Sequence, residues 1–187
     1  MKKMKTHSFT LVLKDVHEHT PNLEDSLYEA GCDDALIHFR HGAVYLDFDR
    51  KAVSLEEAVI SAIREVKSAS VDAHVLSVAP ENLVTESEIA KRLNKSRQLV
   101  SLWIKGERRQ SFPHPVMRLA HKSALWKWSE VATWAYQCKM IDNKELLDNA
   151  LFLEHIHAVL EECDKKTRDI RHGLLRKIEA PYQAGAH

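Results

Sequence analysis

Two helix-start signals lie close together in residues 84–105, so this segment can hold only two short helices joined by a tight turn. Thr85 and Glu88 form a capping-box pair, which predicts the start of the first helix. The hydroxyl of Ser96 can cap the second helix. Between them, Asn94 tolerates the left-handed conformation that a turn between two helices requires. The sequence therefore predicts a helical hairpin here.

The apolar residues of this hairpin fall on faces that can pack together. The predicted inward positions are Ile89, Ala90 and Leu93 in the first helix and Val100, Trp103 and Ile104 in the second. Ala90 is informative because two steeply crossing helices leave space for only a small side chain at their contact. Anchoring of the second helix by Val100 and Trp103 places a polar set on its opposite face. That set is Arg97, Gln98, Ser101 and Lys105.

The charge of the chain is concentrated around this hairpin. The whole sequence is balanced, with 27 basic and 27 acidic residues. Residues 84–140 nevertheless carry 11 Lys and Arg against 4 Asp and Glu, while residues 1–83 are net −5 and residues 141–187 net −2. A positive segment between acidic neighbours is typical of a module that faces a polyanion.

The exposed face of the second helix has the chemistry of base recognition. Glutamine can pair with adenine through two hydrogen bonds, arginine can pair with guanine, and a serine at a helix start can hold a phosphate. The predicted base-contacting set is Ser96, Arg97, Gln98, Ser101 and Lys105. The alternative is a solvated amphipathic hairpin with no ligand.

Residues from about 83 to 135 resemble the winged helix-turn-helix of the excisionase, AlpA and MerR-like superfamily. The resemblance is carried by Leu83-Val84-Thr85, Ile89-Ala90, Ser96-Arg97-Gln98, Phe112-Pro113-His114-Pro115-Val116 and the stretch from Leu125 to Trp134. It departs from the family in the turn, where Asn94 stands in place of the usual small residue. The resemblance implies that the second helix enters the major groove and that the wing contacts the DNA backbone or minor groove.

Basic and polar residues around the hairpin and along the wing are predicted to contact phosphates. These are Thr85, Lys95, Arg108, Arg109, Arg118, His121 and Lys122. Arginine and lysine are mostly exposed in any protein, so the alternative for each is a solvated loop. The tryptophans of this region, Trp126, Trp128 and Trp134, are predicted to be core residues.

Residues 1–80 alternate between strand and helix patterns. Phe9, Leu11 and Leu13 mark one face of a strand, and two further strands flank His41-Gly42, a hairpin signal. A helix capped by Ser54 and Glu57 and a last strand over 71–78 complete the order βαββαβ. This order predicts a ferredoxin-like α+β sandwich that dimerises or senses a ligand. Residues 79–82 are the predicted linker.

Residues 141–179 form a predicted helical extension. Its apolar residues recur every seven positions, with a second set three positions further on, which gives an interrupted heptad pattern. The first set is Leu146, Leu153, Leu160, Thr167 and Leu174, and the second is Ile156, Cys163 and Ile170. The pattern fits equally well packing against its own chain and pairing with another chain.

The composition is that of a soluble globular protein, with 44% apolar and 29% charged residues. Cys32, Cys138 and Cys163 lack the spacing of a disulfide framework or a zinc site, which predicts buried thiols in a reducing compartment. The sequence shows neither a signal-peptide core nor a membrane-length apolar run. The expected location is therefore the cytoplasm, without membrane contact.

One enzymatic alternative rests on carboxylates at predicted strand ends. Asp33, Asp34, Asp47 and Asp49 could hold a magnesium ion for phosphodiester hydrolysis, although carboxylates at turns are commonly solvated. The close histidine pairs lack a third ligand, and the motifs of hydrolases, phosphate loops and dinucleotide sites are missing. We therefore expect no catalytic residues, no metal site and no cofactor.

Together these patterns predict a sequence-specific, double-stranded DNA-binding transcription regulator that forms a homodimer. Its domains are a ferredoxin-like module at 1–80, a winged helix-turn-helix at 83–138 and a helical extension at 141–179. The alternative is an antitoxin-like or scaffold protein that binds a protein partner through its C-terminal helices. A metal-dependent nuclease is the less favoured alternative.

Overall fold

A computed structural model describes residues 3–108, 111–119, 123–163 and 165–179, and within them the chain is mixed α/β. The first half contains β1 (Lys5–Lys14), α1 (Leu23–Glu29), β2 (Ala35–Arg40), β3 (Ala43–Ala52), α2 (Leu55–Ser68) and β4 (His74–Ala79). The second contains β5 (Leu83–Val84), α3 (Glu86–Arg92), α4 (Arg97–Ile104), β6 (Met117–Leu119), β7 (Ser123–Lys127), α5 (Trp128–Gln137), α6 (Lys144–Cys163) and α7 (Lys165–Glu179).

The first six elements form an N-terminal unit around a four-stranded sheet of order β2-β3-β1-β4, in which every neighbouring pair is antiparallel. The predicted order of strands and helices is confirmed. His41 and Gly42 both have positive φ, at 52° and 79°, as a two-residue hairpin turn requires. Ser54 caps α2 by accepting a hydrogen bond from the backbone N–H of Glu57 at 3.1 Å, as its sequence predicts.

One face of the sheet forms an apolar core with α1 and α2. The inward residues of β1 alternate with exposed ones, as the sequence predicts, and Phe9 stacks on Phe48 of β3 with ring centroids 4.9 Å apart. The inward face of α2 is Leu55, Ala58, Val59, Ala62, Ile63 and Val66. Burying each large aliphatic side chain contributes roughly 1.5–3 kcal/mol.

A cation lies at the rim of this core. Arg50 of β3 donates two hydrogen bonds to the Asp34 carboxylate, at 2.9 and 2.6 Å, and one to Ser61 Oγ at 3.0 Å. Its Nη2 also lies 2.7 Å from Glu65 Oε2, and its guanidinium lies over the Phe48 ring. Arg50 therefore holds together the loop before β2, the strand β3 and the helix α2.

Arg50→Met should lower the free energy of unfolding by about 1–3 kcal/mol. This is below the ~3–5 kcal/mol typical of a fully buried pair, because Asp34 and Glu65 keep some exposure to water. Urea unfolding measures the change, with Arg64→Met, at an exposed position of α2, as the control. Equal stability of the two variants would show that the Arg50 cluster contributes nothing.

The central unit, β5 to β7 with α3 to α5, has its own core. Strand β7 pairs antiparallel with β5 on one side and β6 on the other. Trp134 of α5 contacts two rings edge to face, Trp103 at 5.3 Å and Phe112 at 4.8 Å. Trp126, Trp128 and Trp134 are all buried, which confirms their prediction as core residues.

Asn82, the last residue of the predicted linker, is hydrogen-bonded to the central unit. Asn82 is buried, its carbonyl accepts from the backbone N–H of Trp128 at 2.6 Å, and its Oδ1 accepts from that of Ser129 at 3.0 Å. Asn82 thus supplies acceptors for two backbone donors at the start of α5, which have no partner inside their own helix. The chain between the two units is therefore tied to the central unit.

Helix α6 packs on both cores. Leu153 and Leu160 belong to the core of the N-terminal unit, whereas Ala150 belongs to that of the central unit. Polar contacts follow the same division: His157 Nε2 lies 2.7 Å from the carbonyl oxygen of Val78 in β4, and Lys127 of β7 donates to Glu154 at 2.9 Å. This half of the heptad pattern packs against its own chain.

Helix α7 differs. Ile170, Leu174, Leu175 and Ile178 are exposed, and the side chain of Thr167 lies outside the described residues. The two halves of one sequence pattern thus have different environments.

Leu153→Ala should lower the free energy of unfolding by about 2–5 kcal/mol, because it leaves a cavity where α6 meets the first core. Leu174→Ala makes the same chemical change at an equivalent heptad position with a 53% exposed side chain, and should change stability by less than about 0.5 kcal/mol. Thermal and urea unfolding of both variants measures the contrast. A large loss for Leu174→Ala would mean that α7 is covered in solution.

The cysteines are in three environments. Cys32 is buried, and burial, followed by the nearby Glu65 carboxylate, raises the pKa of its thiol to about 12. Cys138 is half-buried and Cys163 is exposed, so the prediction of a buried thiol is wrong for Cys163, which lies on the outer side of α6. Among the described residues, no helix has both the length and the apolar character to cross a membrane.

Candidate nucleic-acid interface

The helical hairpin begins with the predicted capping box. Thr85 Oγ1 accepts from the backbone N–H of Glu88 at 3.3 Å, and Glu88 Oε2 accepts from the backbone N–H of Thr85 at 2.7 Å. The pKa of Glu88 is lowered, mainly because the hydrogen bond from the backbone N–H of Thr85 stabilises the carboxylate form. The box fixes where α3 starts.

The turn between α3 and α4 is closed by Asn94. Its φ is 52°, and its backbone N–H donates to the carbonyl of Lys91 at 3.1 Å, while that of Lys95 donates to the carbonyl of Ala90 at 2.8 Å. These two bonds form a Schellman motif, which needs a left-handed residue where asparagine is tolerated. Ser96 Oγ then accepts from the backbone N–H of Leu99 at 3.2 Å and caps α4. Asn94 therefore suits this turn despite its departure from the family pattern.

Helix α4 is anchored on one side only. Val100 and Trp103 are buried, and they share a core with Ile89, Ala90 and Leu93. Arg97, Gln98 and Lys105, on the other side, are exposed, and Ser101 is half-buried. Ser96, the N-cap of α4, is also exposed. Four of the five predicted base-contacting residues are thus exposed, and three of them, Arg97, Gln98 and Lys105, lie on the side of α4 that faces away from the core. Ser101 is partly covered.

The predicted backbone-contacting residues are only partly described. Lys95 and Arg108 are exposed beside α4. The Thr85 hydroxyl is half-buried and is bonded to Glu88 in the capping box, so the structure gives it a role in the fold. Arg109, His121 and Lys122 lie outside the described residues, and of Arg118 only the backbone, in β6, is described.

The structure adds one basic residue that the sequence analysis missed. Lys139 lines a concave surface of about 520 Å³ beside α4 together with Lys95 and Arg108, which we call the basic concavity. Lys139 has a φ of 53° at the end of α5, where the backbone N–H of Met140 donates to the carbonyl of Ala135. Since 44 residues separate Lys139 from Lys95, no local pattern indicates that they meet.

The segment that the resemblance assigns to the wing contains an antiparallel strand pair. Met117, Arg118 and Leu119 of β6 pair with Leu125, Ala124 and Ser123 of β7. Residues 120–122, which connect the two strands, lie outside the described residues. Val116 and Met117 are exposed at the base of this hairpin.

Three of the four carboxylates of the nuclease hypothesis are hydrogen-bonded to side chains of their own chain. Asp47 accepts from Thr10 Oγ1 and Asp49 from Ser8 Oγ, both at 2.5 Å, while Asp34 is held by Arg50. Within the part of the chain that the structure describes, no group of three or more His, Cys, Asp or Glu side chains could hold a metal ion.

No protein-family model, curated protein or solved structure matches the chain. The function must therefore be inferred from the chemistry and positions of the chain's own residues.

Thr85→Ala should lower the free energy of unfolding by about 1 kcal/mol, because a backbone N–H of α3 loses its acceptor. Ser87→Ala, at an exposed position in the same helix, is the control and should be neutral within about 0.5 kcal/mol. Unfolding curves at neutral pH measure both. The pKa of Glu88 is lower in the folded protein than its ordinary value, so the Glu88 carboxylate adds to the free energy of unfolding at a pH above that ordinary value. This addition should be lost as the pH falls through the pKa of Glu88 in the folded protein.

Proposed function

We propose that this protein is a sequence-specific regulator that binds double-stranded DNA through α4, with residues 83–138 acting as a winged helix-turn-helix of the excisionase, AlpA and MerR-like type. The observation that carries the proposal is the orientation of α4: Arg97 and Gln98 are exposed in its first turn, while Val100 and Trp103 hold the opposite face in the core. A recognition helix uses its N-terminal residues to reach base edges.

The exposed side chains of α4 are available for a ligand. Within the described residues, Arg97 and Gln98 take part in no hydrogen bond or ion pair. Their planar end groups match the two-point hydrogen-bond patterns of guanine and adenine in the major groove. An arginine and a glutamine adjacent at a helix start therefore suit the reading of two neighbouring base pairs.

The basic concavity supports a duplex lying along α4. It brings the Lys95, Arg108 and Lys139 side chains to one surface next to the exposed helix face. Cations placed there can contact phosphates and so set the position of the helix on the duplex without reading sequence. The excess of basic residues over 84–140 gives this unit an attraction for DNA that the acidic N-terminal unit lacks.

The proposal extends to the other units. We assign the N-terminal unit to the ferredoxin-like class, because its sheet order β2-β3-β1-β4 and its two helices suit that arrangement. We further propose a homodimer that acts in the cytoplasm, since regulators with a helix-turn-helix commonly read two half-sites related by symmetry.

A second candidate function is an antitoxin-like or scaffold protein. The exposed apolar side chains of α7 favour it, because Ile170, Leu174, Leu175 and Ile178 are each more than half exposed. Such a surface suits a protein partner. Both functions are compatible in one chain.

Selection of bound duplexes from a random pool should yield a preferred sequence, and substitutions then separate the two kinds of contact. Arg97→Ala and Gln98→Ala should each reduce the discrimination between that sequence and a random duplex by about 1–3 kcal/mol. Arg108→Ala and Lys139→Ala should weaken the binding of all duplexes alike. Each should also reduce the slope of log affinity against log salt concentration by about one, because one phosphate contact is lost. Fluorescence anisotropy over a range of salt concentrations measures both effects.

Arg64→Ala, on α2 of the N-terminal unit, removes the same charge away from the proposed interface and should leave DNA affinity unchanged. The proposal fails if the full chain selects no sequence and binds no duplex at low salt. The assignment of roles fails if Arg97→Ala and Gln98→Ala affect preferred and random duplexes equally.

A further inference from the structure

A cavity of about 550 Å³ lies where the N-terminal unit, the central unit and α6 meet. Its walls come from the start of β1, the last residue of α3, the first residue of α5 and the first half of α6. We call it the junction cavity. Its volume is in the range of small-molecule sites, and such sites occur preferentially where structural units meet.

Two side chains in its wall carry nitrogens without a partner. Arg92 Nη1 and His7 Nε2 are both buried, and neither has a hydrogen-bond partner among the described residues. His7 is only 8% exposed, so bulk water does not compensate it. A buried polar atom without a partner costs about as much as a lost hydrogen bond or more, so these two atoms are unusual in a folded protein.

The Arg92 guanidinium is the more informative of the two. It lies over the Trp128 ring, 5.2 Å from the centroid, and in the described residues no carboxylate is within ion-pair distance of it. Burial is the main cause that lowers its pKa, and the more distant Glu88 and Glu81 oppose that effect. A partly buried cation without a counter-charge can pair with an anionic group.

The remaining wall defines what kind of anion fits. Leu153 and Ala150 are buried in it and Trp128 adds an aromatic surface, so the cavity favours an apolar body. The Asn149 side chain adds an amide that can bond a polar atom. Glu145, whose carboxylate accepts from Lys5 Nζ at 2.5 Å, also lines the cavity and disfavours a ligand with several negative charges.

We propose that the junction cavity binds a small monocarboxylic acid with an apolar body, whose carboxylate pairs with the Arg92 guanidinium. The apolar body lies against Trp128, Ala150 and Leu153. This site is separate from the exposed face of α4, and its existence does not depend on DNA binding.

The experiment uses the full chain without DNA and three probes: 3-phenylpropionate, hexanoate and benzoate. Isothermal titration calorimetry should show saturable binding at one site with a millimolar or lower dissociation constant for at least one of them. The matching neutral amide, such as 3-phenylpropionamide, and the polyanion citrate should bind at least tenfold more weakly. The bound acid should also raise the unfolding temperature.

Arg92→Gln should weaken binding of that acid at least tenfold, because the cation that pairs with the carboxylate is lost. Arg92→Lys keeps the charge and should restore part of the affinity. Arg64→Gln, the same change at an exposed position of α2, should bind as the parent does. Thermal unfolding of each variant verifies that it is folded.

Three results would overturn the proposal: no saturable binding of any of the three acids, equal binding of acid and amide, or an unchanged affinity in a folded Arg92→Gln variant. The last two would mean that Arg92 does not hold the carboxylate. The first would mean that the junction cavity does not hold an acid of this class. None of these results bears on duplex binding, which is measured separately.

Discussion

The apolar face of α6 is the contact on which the arrangement of this protein depends. Leu153 and Leu160 complete the core under the four-stranded sheet, and Ala150 completes the core of the central unit. Each core would otherwise expose apolar side chains at this place. Together with Asn82, which is bonded to the start of α5, α6 makes two units with separate cores pack as neighbours.

The geometry of the proposed interface depends on the two sides of α4, one of which packs in the core while the other is exposed. Trp103 packs edge to face on Trp134, so the helix has one fixed side, and the capped turn before it fixes where the helix starts. Arg97 and Gln98 are thereby presented at the outer side. The aromatic core of the central unit is the rigid support from which a short helix can project its first turn, and rigid support is what base recognition requires.

The junction cavity lies between α3, the first helix of the hairpin, and the first half of α6. Arg92 ends the first helix of the hairpin, and its guanidinium extends to the place where α5 and α6 begin. A group that binds there would contact the N-terminal unit through His7 and the central unit through Arg92. The same packing that brings the units together therefore also creates the surface where a small molecule would contact both.

Short stretches of the sequence are enough to specify the local structure. The capping box at Thr85, the N-cap at Ser54, the left-handed turn residue Asn94 and the alternation of β1 were all predictable, because each depends on residues only a few positions apart. The exposed polar face of α4 followed from the same periodicity. Contacts between distant residues could not be predicted in this way. They are the approach of Lys139 to Lys95, the pairing of Arg50 with Asp34 and Glu65, and the division of one heptad pattern into buried Leu153 and exposed Leu174. A local pattern specifies which side of a helix is apolar, but the surface that covers it depends on how the whole chain packs.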